Sequence, residues 1–245
     1  REILRKYQAW RALTGKKEIS PNTGGYCQAR ARLSLGDIQT VNKQLIQRID
    51  GEYPQQLWCE RSVVVADGSS VSMPDSVKNQ ERYPQPTSQK AGCGFPVMRI
   101  VVYFALSSGI ILAVAKDALT VGETTLSRRL WDMLLEGDVF LANRGFCSYA
   151  DVYYLRARKV DCVLRNHQRR SVGVKPVKRL SDGDHLVYWT KSKVRPKWLD
   201  KEAWNALPDT MLIREIKITV APPGFRTENL TIVTTLLDPR LFPKE

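Results

Sequence analysis

Two polar residues, Asp67 and Asn143, each follow a short apolar run that is typical of a buried strand. The runs are VVVA (63–66) and VFLA (139–142). Carboxylates that converge on divalent metal ions support phosphoryl transfer, and Mg²⁺ prefers such hard oxygen ligands. Asp67 is therefore a candidate metal ligand. Asn143 is a candidate for the second ligand position, where its neutral amide lacks the negative charge that a dication needs.

An aspartate before a glycine is also common in turns, so the elements that carry the two residues decide between these interpretations. Within 61–165, the predicted elements are strands 62–67, 97–106 and 109–119, helix 122–137, strand 138–142, helix 148–158 and strand 161–165. Three consecutive strands followed by alternating helices and strands are the plan of the RNase H-like fold, whose first and fourth strands lie side by side. This α/β arrangement would place Asp67 and Asn143 next to each other.

Four other acidic residues of this region are interpreted structurally. Asp138 lies at the opposite end of strand 138–142 from Asn143, at about 3.3 Å per residue, and cannot take over its position. Asp117, Glu123 and Asp161 are predicted to occupy helix starts or turns.

The segments on either side of this core differ from it in character. Residues 1–60 are predicted to form a helical region, because apolar residues recur there at helical spacing. We interpret this region as a partial DNA-binding module, since small basic helical modules often contact DNA. Residues 166–228 are predicted to be a basic, β-rich insertion, and 229–245 to contain a strand that returns to the core. The predicted elements are helices over about 1–13, 26–35 and from Asp37 onwards, and strands 185–191, 211–220 and 230–237.

The formal net charge of +13 and the pI near 9.7 point to a polyanionic partner. Positive residues cluster in 165–179 and 191–197. Double-stranded DNA is the favoured partner, while a solvated basic face or acidic lipid is the alternative. Membrane-surface binding is disfavoured because no polybasic segment is also an amphipathic helix. The candidate DNA-binding residues are Lys90, Arg99, Arg144, Arg165, Arg169, Arg170, Lys175, Lys178 and Arg179.

Other compositional features exclude several classes of protein. The apolar runs are shorter than the roughly 18–20 residues that span a membrane. The five cysteines are an odd number without a C-x-x-C pair, which argues against a disulfide framework and a structural zinc site. These features predict a protein of the reducing cytoplasm.

Several segments of the chain resemble bacterial DDE-type insertion-sequence transposases, in particular insertion-sequence family four with its Tyr-Arg-Glu-Lys signature. The resemblance implies an RNase H-like core with a β-rich insertion, and Mg²⁺- or Mn²⁺-dependent cutting and joining of transposon ends. It also implies a homodimer acting at the bacterial nucleoid. The segments are YCQARARL, ADGSSVSMPD, NQERYPQP, QKAGCGFP, ANRGFCSY, PGFRT and TTLLDP.

The resemblance assigns roles to individual positions. Asp67 matches the first catalytic aspartate, and Asn143 lies where the family usually has the second, within Ala-Asp-Arg-Gly. The family's glutamate belongs to a helix after the TTLLDP strand, and the sequence ends at Glu245, where that helix is expected to begin. The resemblance therefore predicts a C-terminally truncated chain with impaired catalysis.

Three functions remain open at this point. The chain is an inactive or partial transposase, a non-catalytic DNA-binding protein of transposase descent (a repressor or dominant-negative partner), or a basic scaffold for protein contacts. DNA affinity that falls with salt would separate the first two from the third.

Overall fold

The computed structural model describes residues 2–17, 19–20, 22–52, 57–166, 176–221 and 228–244. Two compact units divide the chain, Arg1–Tyr53 and Pro54–Glu245. The described part of the first unit is helical, and that of the second contains the sheet.

The first unit contains helices α1 (Glu2–Leu13), α2 (Gly24–Arg32) and α3 (Leu35–Glu52), in agreement with the predicted helices. α3 begins two residues earlier than predicted because Ser34 and Asp37 cap its first turn reciprocally. The Asp37 amide donates to Ser34 Oγ at 3.0 Å, and the Ser34 amide donates to Asp37 Oδ2 at 3.2 Å.

The second unit contains a nine-stranded sheet, with short helices among its strands. The strands are β1 (Val63–Ser72), β2 (Val97–Ala105), β3 (Ile111–Ala118), β4 (Val139–Ala142), β5 (Asp161–Arg165), β6 (Lys178–Ser181), β7 (Asp184–Thr190), β8 (Thr210–Val220) and β9 (Glu228–Thr234). The helices are α4 (Val77–Arg82), α5 (Glu123–Arg128), α6 (Tyr149–Ala157) and α7 (Lys201–Ala206), with 3-10 turns at Trp131–Met133 and Arg144–Phe146.

The strand order is β3-β2-β1-β4-β5-β9-β8-β7-β6. β2 is antiparallel to both of its neighbours, β1 and β3, whereas β4 is parallel to β1 and β5 is parallel to β4. This order confirms the predicted arrangement of the first five strands. β9 returns to pair with β5, as predicted, and the strands of the basic region extend the same sheet beyond it.

The core lies between the central strands and helices α5 and α6. Val64 and Ala66 of β1 are buried on one face of the sheet, because successive strand side chains point to opposite faces, and Phe140 of β4 belongs to the same buried cluster. Leu126 of α5 and Leu155 of α6 belong to the same buried cluster. This packing fixes the central strands beneath the candidate site.

The helix predicted over 122–137 is shorter in the structure, and this prediction was wrong. α5 ends at Arg128, and the 3-10 turn at Trp131–Met133 follows. The predicted apolar face included Met133, but Met133 is 49% exposed while Trp131 is buried. Burial of the Trp131 ring removes more apolar surface from water than burial of Met133 would. This favours the end of α5 at Arg128 and the 3-10 turn that follows.

A buried ion pair connects β7 to β8 and holds the end of the chain. The Arg214 guanidinium donates to both carboxylate oxygens of Asp184, at 2.8 and 2.6 Å, and both side chains are at most 2% exposed. Arg214 also donates to the Phe242 carbonyl at 2.6 Å. Neither charge is accessible to water, so each depends on the other for compensation.

Replacement of Asp184 is therefore expected to destabilise the second unit. Asp184→Ala leaves the Arg214 charge buried and unpaired, which should lower the free energy of unfolding by about 3–5 kcal/mol in urea denaturation. Asp182→Ala is the matched control, because Asp182 pairs with Arg179 at 3.0 Å on the exposed surface and should matter little. Equal effects of the two substitutions would contradict this account.

Candidate active site

Asp67 and Asn143 lie next to each other near the middle of the first five strands, on β1 and directly after β4. The parallel register pairs Ala66 of β1 with Ala142 of β4. The next residues, Asp67 and Asn143, are therefore also adjacent. Asn143 Nδ2 donates to Asp67 Oδ1 at 3.5 Å, and both residues are exposed. The structure thus brings the two sequence-predicted positions together on an open surface.

Asp67 is not the last residue of its strand, contrary to the prediction. β1 continues to Ser72 because β2, which is longer than β4, pairs with β1 over this whole length. Asp67 itself is opposite Val102. The Asp67 carboxylate also accepts a hydrogen bond from the Gly68 amide at 2.9 Å. It therefore projects from the middle of β1, where its backbone is paired with β2.

Asn143 caps the turn that follows β4. Its Oδ1 accepts a hydrogen bond from the Gly145 amide at 2.7 Å, at the start of the 3-10 turn Arg144–Phe146. With its oxygen engaged in this way, its amide nitrogen is directed to the Asp67 carboxylate. Two carboxylates in these places would instead repel each other unless a cation lay between them.

Glu123 places a second carboxylate beside this pair, which the sequence interpretation missed. It is the first residue of α5, as the predicted helix start requires, but its side chain reaches the strand. An ideal Cβ built on Gly68 would lie only 2.7 Å from Glu123 Oε2, and one built on Gly145 would lie 4.0 Å from it. The available signal was the glycine close behind each of Asp67 and Asn143.

The remaining acidic residues have structural partners. Arg129 donates to Asp117 at 2.8 Å, and this hydrogen bond lowers the pKa of the Asp117 carboxyl. Burial raises the pKa of Asp138, which accepts from the Leu135 amide. Asp161 pairs with Arg61 at 2.5 Å. The predicted helix-start or turn roles of Asp117 and Asp161 were wrong, because Asp117 lies within β3 and Asp161 is the first residue of β5. Asp138 directly precedes β4, at the opposite end from Asn143, as predicted.

Three predicted DNA-binding residues lie on Arg144–Phe146, on β2 and in the loop that precedes β2. Arg144 directly follows Asn143 and is exposed, and Lys90 is exposed in the long loop between α4 and β2. Arg99 of β2 is half-buried and donates to the Val121 carbonyl at 3.1 Å. Arg99 therefore contributes to holding the chain just before α5.

Other predicted DNA-binding residues are separated from the site by several strands. Lys178 and Arg179 lie on β6, six strands from β1, which corresponds to roughly 29 Å at the usual strand spacing. Arg165 lies on β5 and is half-buried. Arg169, Arg170 and Lys175 lie outside the described residues. The cationic positions thus do not form one cluster around Asp67.

The fold and site together define an RNase H-like α/β protein, with a central strand that carries an exposed aspartate beside the end of a parallel neighbour. Residues 58–238 match the family model described as the transposase DDE domain. The chain therefore belongs to the family of DDE-domain transposases.

One curated relative is the transposase InsG for insertion sequence element IS4 of Escherichia coli strain K12. The chain is 24% identical to it over 195 residues, which cover 78% of this chain and 42% of the relative. The chain thus spans less than half the length of that curated relative.

Two solved structures show weaker similarity. One is a piggyBac transposase synaptic complex with hairpin DNA, with a TM-score of 0.35 and 9% identity over 70% of this chain and 32% of that one. The other is an endonuclease V from Bacillus subtilis, with a TM-score of 0.30 and 11% identity over 82% and 76% of the two chains. Both TM-scores are too low to transfer structural detail.

DDE transposases use divalent metal ions, and the donors at Asp67 and Asn143 are of the right chemical kind. Mg²⁺ often binds through one or two carboxylates and keeps several waters. The exposed Asp67 carboxylate fits that role, and Asn143 Oδ1 has a second lone pair beside its bond to Gly145. Among the described residues, no group of three His, Cys, Asp or Glu side chains could hold a metal.

No helix within the described ranges is both long and apolar enough to cross a membrane.

Removal of the Asn143 side chain should loosen the turn after β4. Asn143→Ala loses the acceptor for the Gly145 amide, which is expected to lower the free energy of unfolding by about 1 kcal/mol. Asn143→Ser retains a capping oxygen there without adding a charge beside Asp67 and is the matched control. Urea denaturation of both variants measures the difference, and an unchanged Asn143→Ala protein would argue against the capping role.

Proposed function

We propose that this chain is the core of a DNA transposase that binds double-stranded transposon ends, with Asp67 as a metal ligand of a weakened cleavage site. The observation that carries the proposal is the juxtaposition of Asp67 and Asn143 on adjacent parallel strands within a DDE family match. Asn143 takes the position of the second aspartate. It reduces the negative charge that a divalent cation requires there.

The proposed reaction is attack by water, or by a DNA 3′-hydroxyl, on a phosphodiester. A new bond to phosphorus forms while the bond to the leaving oxygen breaks, and the proton of the nucleophile passes to solvent. A bound divalent ion supplies activation of the attacking oxygen and stabilisation of the leaving one. Asp67 contributes the negative charge that holds the ion, and β2 fixes the backbone of Asp67.

The formal charge of +13 supports DNA as the partner. Arg144, adjacent to Asn143 and exposed, is the proposed phosphate contact closest to the site. Lys90 and the basic strand β6 would bind DNA further away. Pairing of two copies on DNA, in the bacterial cytoplasm at the nucleoid, completes the proposal and follows from the family.

A second candidate function is a non-catalytic DNA-binding protein of transposase descent. The hydrogen bonds of Asn143 favour it, because its amide satisfies both the Gly145 amide and the Asp67 carboxylate without a cation. Such a chain would occupy transposon ends as a repressor or as a dominant-negative partner. The two candidates differ in whether restoring an aspartate restores metal binding.

Asn143→Asp is expected to raise the affinity for Mn²⁺ by about tenfold or more, because it returns one full charge to the site. Mn²⁺ titration followed by electron paramagnetic resonance measures the affinity, and nicking of supercoiled DNA with Mg²⁺ or Mn²⁺ measures cleavage. Asp67→Asn in the same background should abolish the gain.

The outcomes of that experiment separate the two candidates. Mn²⁺ affinity that rises with Asn143→Asp and disappears with Asp67→Asn supports the weakened cleavage site. An unchanged affinity, together with salt-dependent DNA binding, would favour the non-catalytic protein. Cleavage by the chain with Asn143 in place would overturn the assignment of Asn143 as a weakening residue.

DNA binding should weaken with salt, and Arg144→Ala should reduce the log–log slope by about 0.9, the contribution of one phosphate contact. Fluorescence anisotropy with duplex DNA at several salt concentrations measures both slopes. Arg158→Ala is the control, because Arg158 follows the C-terminal end of α6 and pairs with Asp132 at 3.0 Å. A salt-independent affinity would instead favour a scaffold for protein contacts.

A further inference from the structure

The Glu123 carboxylate lies between the two segments that carry Asp67 and Asn143. A Cβ on Gly68 would lie 2.4 Å from Glu123 Cδ, closer than real atoms approach, so the glycine leaves the space that this carboxylate fills. A Cβ on Gly145 would lie 3.0 Å from Asn143 Oδ1 and 4.0 Å from Glu123 Oε2. The two oxygens therefore face the same small region above Gly145.

The backbone around Glu123 is fixed from several directions. The Thr125 and Leu126 amides donate to the Gly122 carbonyl, at 3.0 and 3.2 Å, and Leu126 is fully buried in the core. Arg99 of β2 holds the Val121 carbonyl from the strand side. The position of the carboxylate beside β1 is thus built into the connection between β3 and α5.

Glu123 makes no hydrogen bond or salt bridge with any other residue that the structure describes. Its side chain is half-buried and lies beside Gly68. The neighbouring Asp67 carries the same negative charge as Glu123. Two like charges in one site repel each other, and a cation bound between them removes that repulsion. Two other carboxylates of the core, Asp151 and Asp161, have arginine partners.

We propose that Glu123 is a metal-ligating residue of the site, and that it supplies a second carboxylate oxygen to the divalent ion held by Asp67. The inference rests on the proposed function, because it concerns the same ion. It gives the described part of the chain a carboxylate pair, Asp67 and Glu123, with Asn143 as a neutral third donor. One or two carboxylates with several waters are a common protein environment of Mg²⁺.

A simpler role for Glu123 has a different consequence. An acidic residue in the first turn of a helix interacts favourably with the helix dipole, and such a residue stabilises the helix without touching a ligand. Glu202 occupies the corresponding first turn of α7 and is exposed. Glu202→Gln is therefore the matched control, since it removes the same kind of helix-start charge away from the site.

The test measures Mn²⁺ affinity by electron paramagnetic resonance in the full chain carrying Asn143→Asp. Glu123→Gln is expected to weaken binding by at least about tenfold, the loss that even an indirect partner of a metal ligand typically produces. Glu202→Gln should leave the affinity unchanged. Far-ultraviolet circular dichroism and thermal unfolding check that each variant remains folded.

Gly68→Ala provides a second variant that changes no charge. The added methyl group would occupy the space of the Glu123 carboxylate, and the flexible end of that side chain can move away from it. Mn²⁺ affinity is expected to fall as it does with Glu123→Gln. Combining the two substitutions should add little further loss, because both act through the same carboxylate.

Backbone cleavage by bound Fe²⁺ with ascorbate and peroxide locates the ion independently of affinity. Cuts are expected near residues 67, 123 and 143. Cuts at 67 and 143 only, with normal affinity in Glu123→Gln, would overturn this inference and leave the proposed function intact. The absence of localised cuts, with Asp67→Asn binding Mn²⁺ normally, would overturn both.

Discussion

The parallel pairing of β1 with β4 is the constraint on which the rest of the site depends. The four-residue β4 is just long enough to pair Val63–Ala66 with Val139–Ala142, and then the chain leaves the sheet at Asn143. β1 has β2 on its other side and continues. Asp67 is consequently held by one neighbour and exposed beside the end of the other, which opens a surface near the middle of the first five strands.

The order of the elements could be predicted because each strand and helix has its own pattern of apolar residues in the sequence. β-branched runs such as 62–67 and apolar runs such as 109–119 have no other good interpretation, and their order restricts the topology to few choices. The extent of β1 could not be predicted in this way. Its second half, SSVS at 69–72, is polar and exposed, and it is a strand only because β2 pairs with it.

Glu123 illustrates the limit of local reasoning about the site. Its place in the sequence identifies a helix start, and it is one, so no local pattern indicates a second role. Its proximity to Gly68 arises from the packing of α5 on the sheet, between residues 55 positions apart in the sequence. The sequence signal for such a contact is a glycine shortly after a candidate ligand. This signal is weak, because glycines also occur in turns and at other sites of close packing.

The asparagine at position 143 affects both the stability of the turn after β4 and the proposed chemistry. A cluster of carboxylates is a strained arrangement that binding of a cation relieves, and active sites commonly retain such strain at the expense of stability. Asn143 relieves it differently, because its amide donates to Asp67 while its oxygen caps the turn at Gly145. The Asp67 carboxylate and the Gly145 amide therefore both have hydrogen-bond partners without a cation at this position. The hydrogen bonds that stabilise the turn and the Asp67 carboxylate therefore compete with the divalent ion that the proposed chemistry requires.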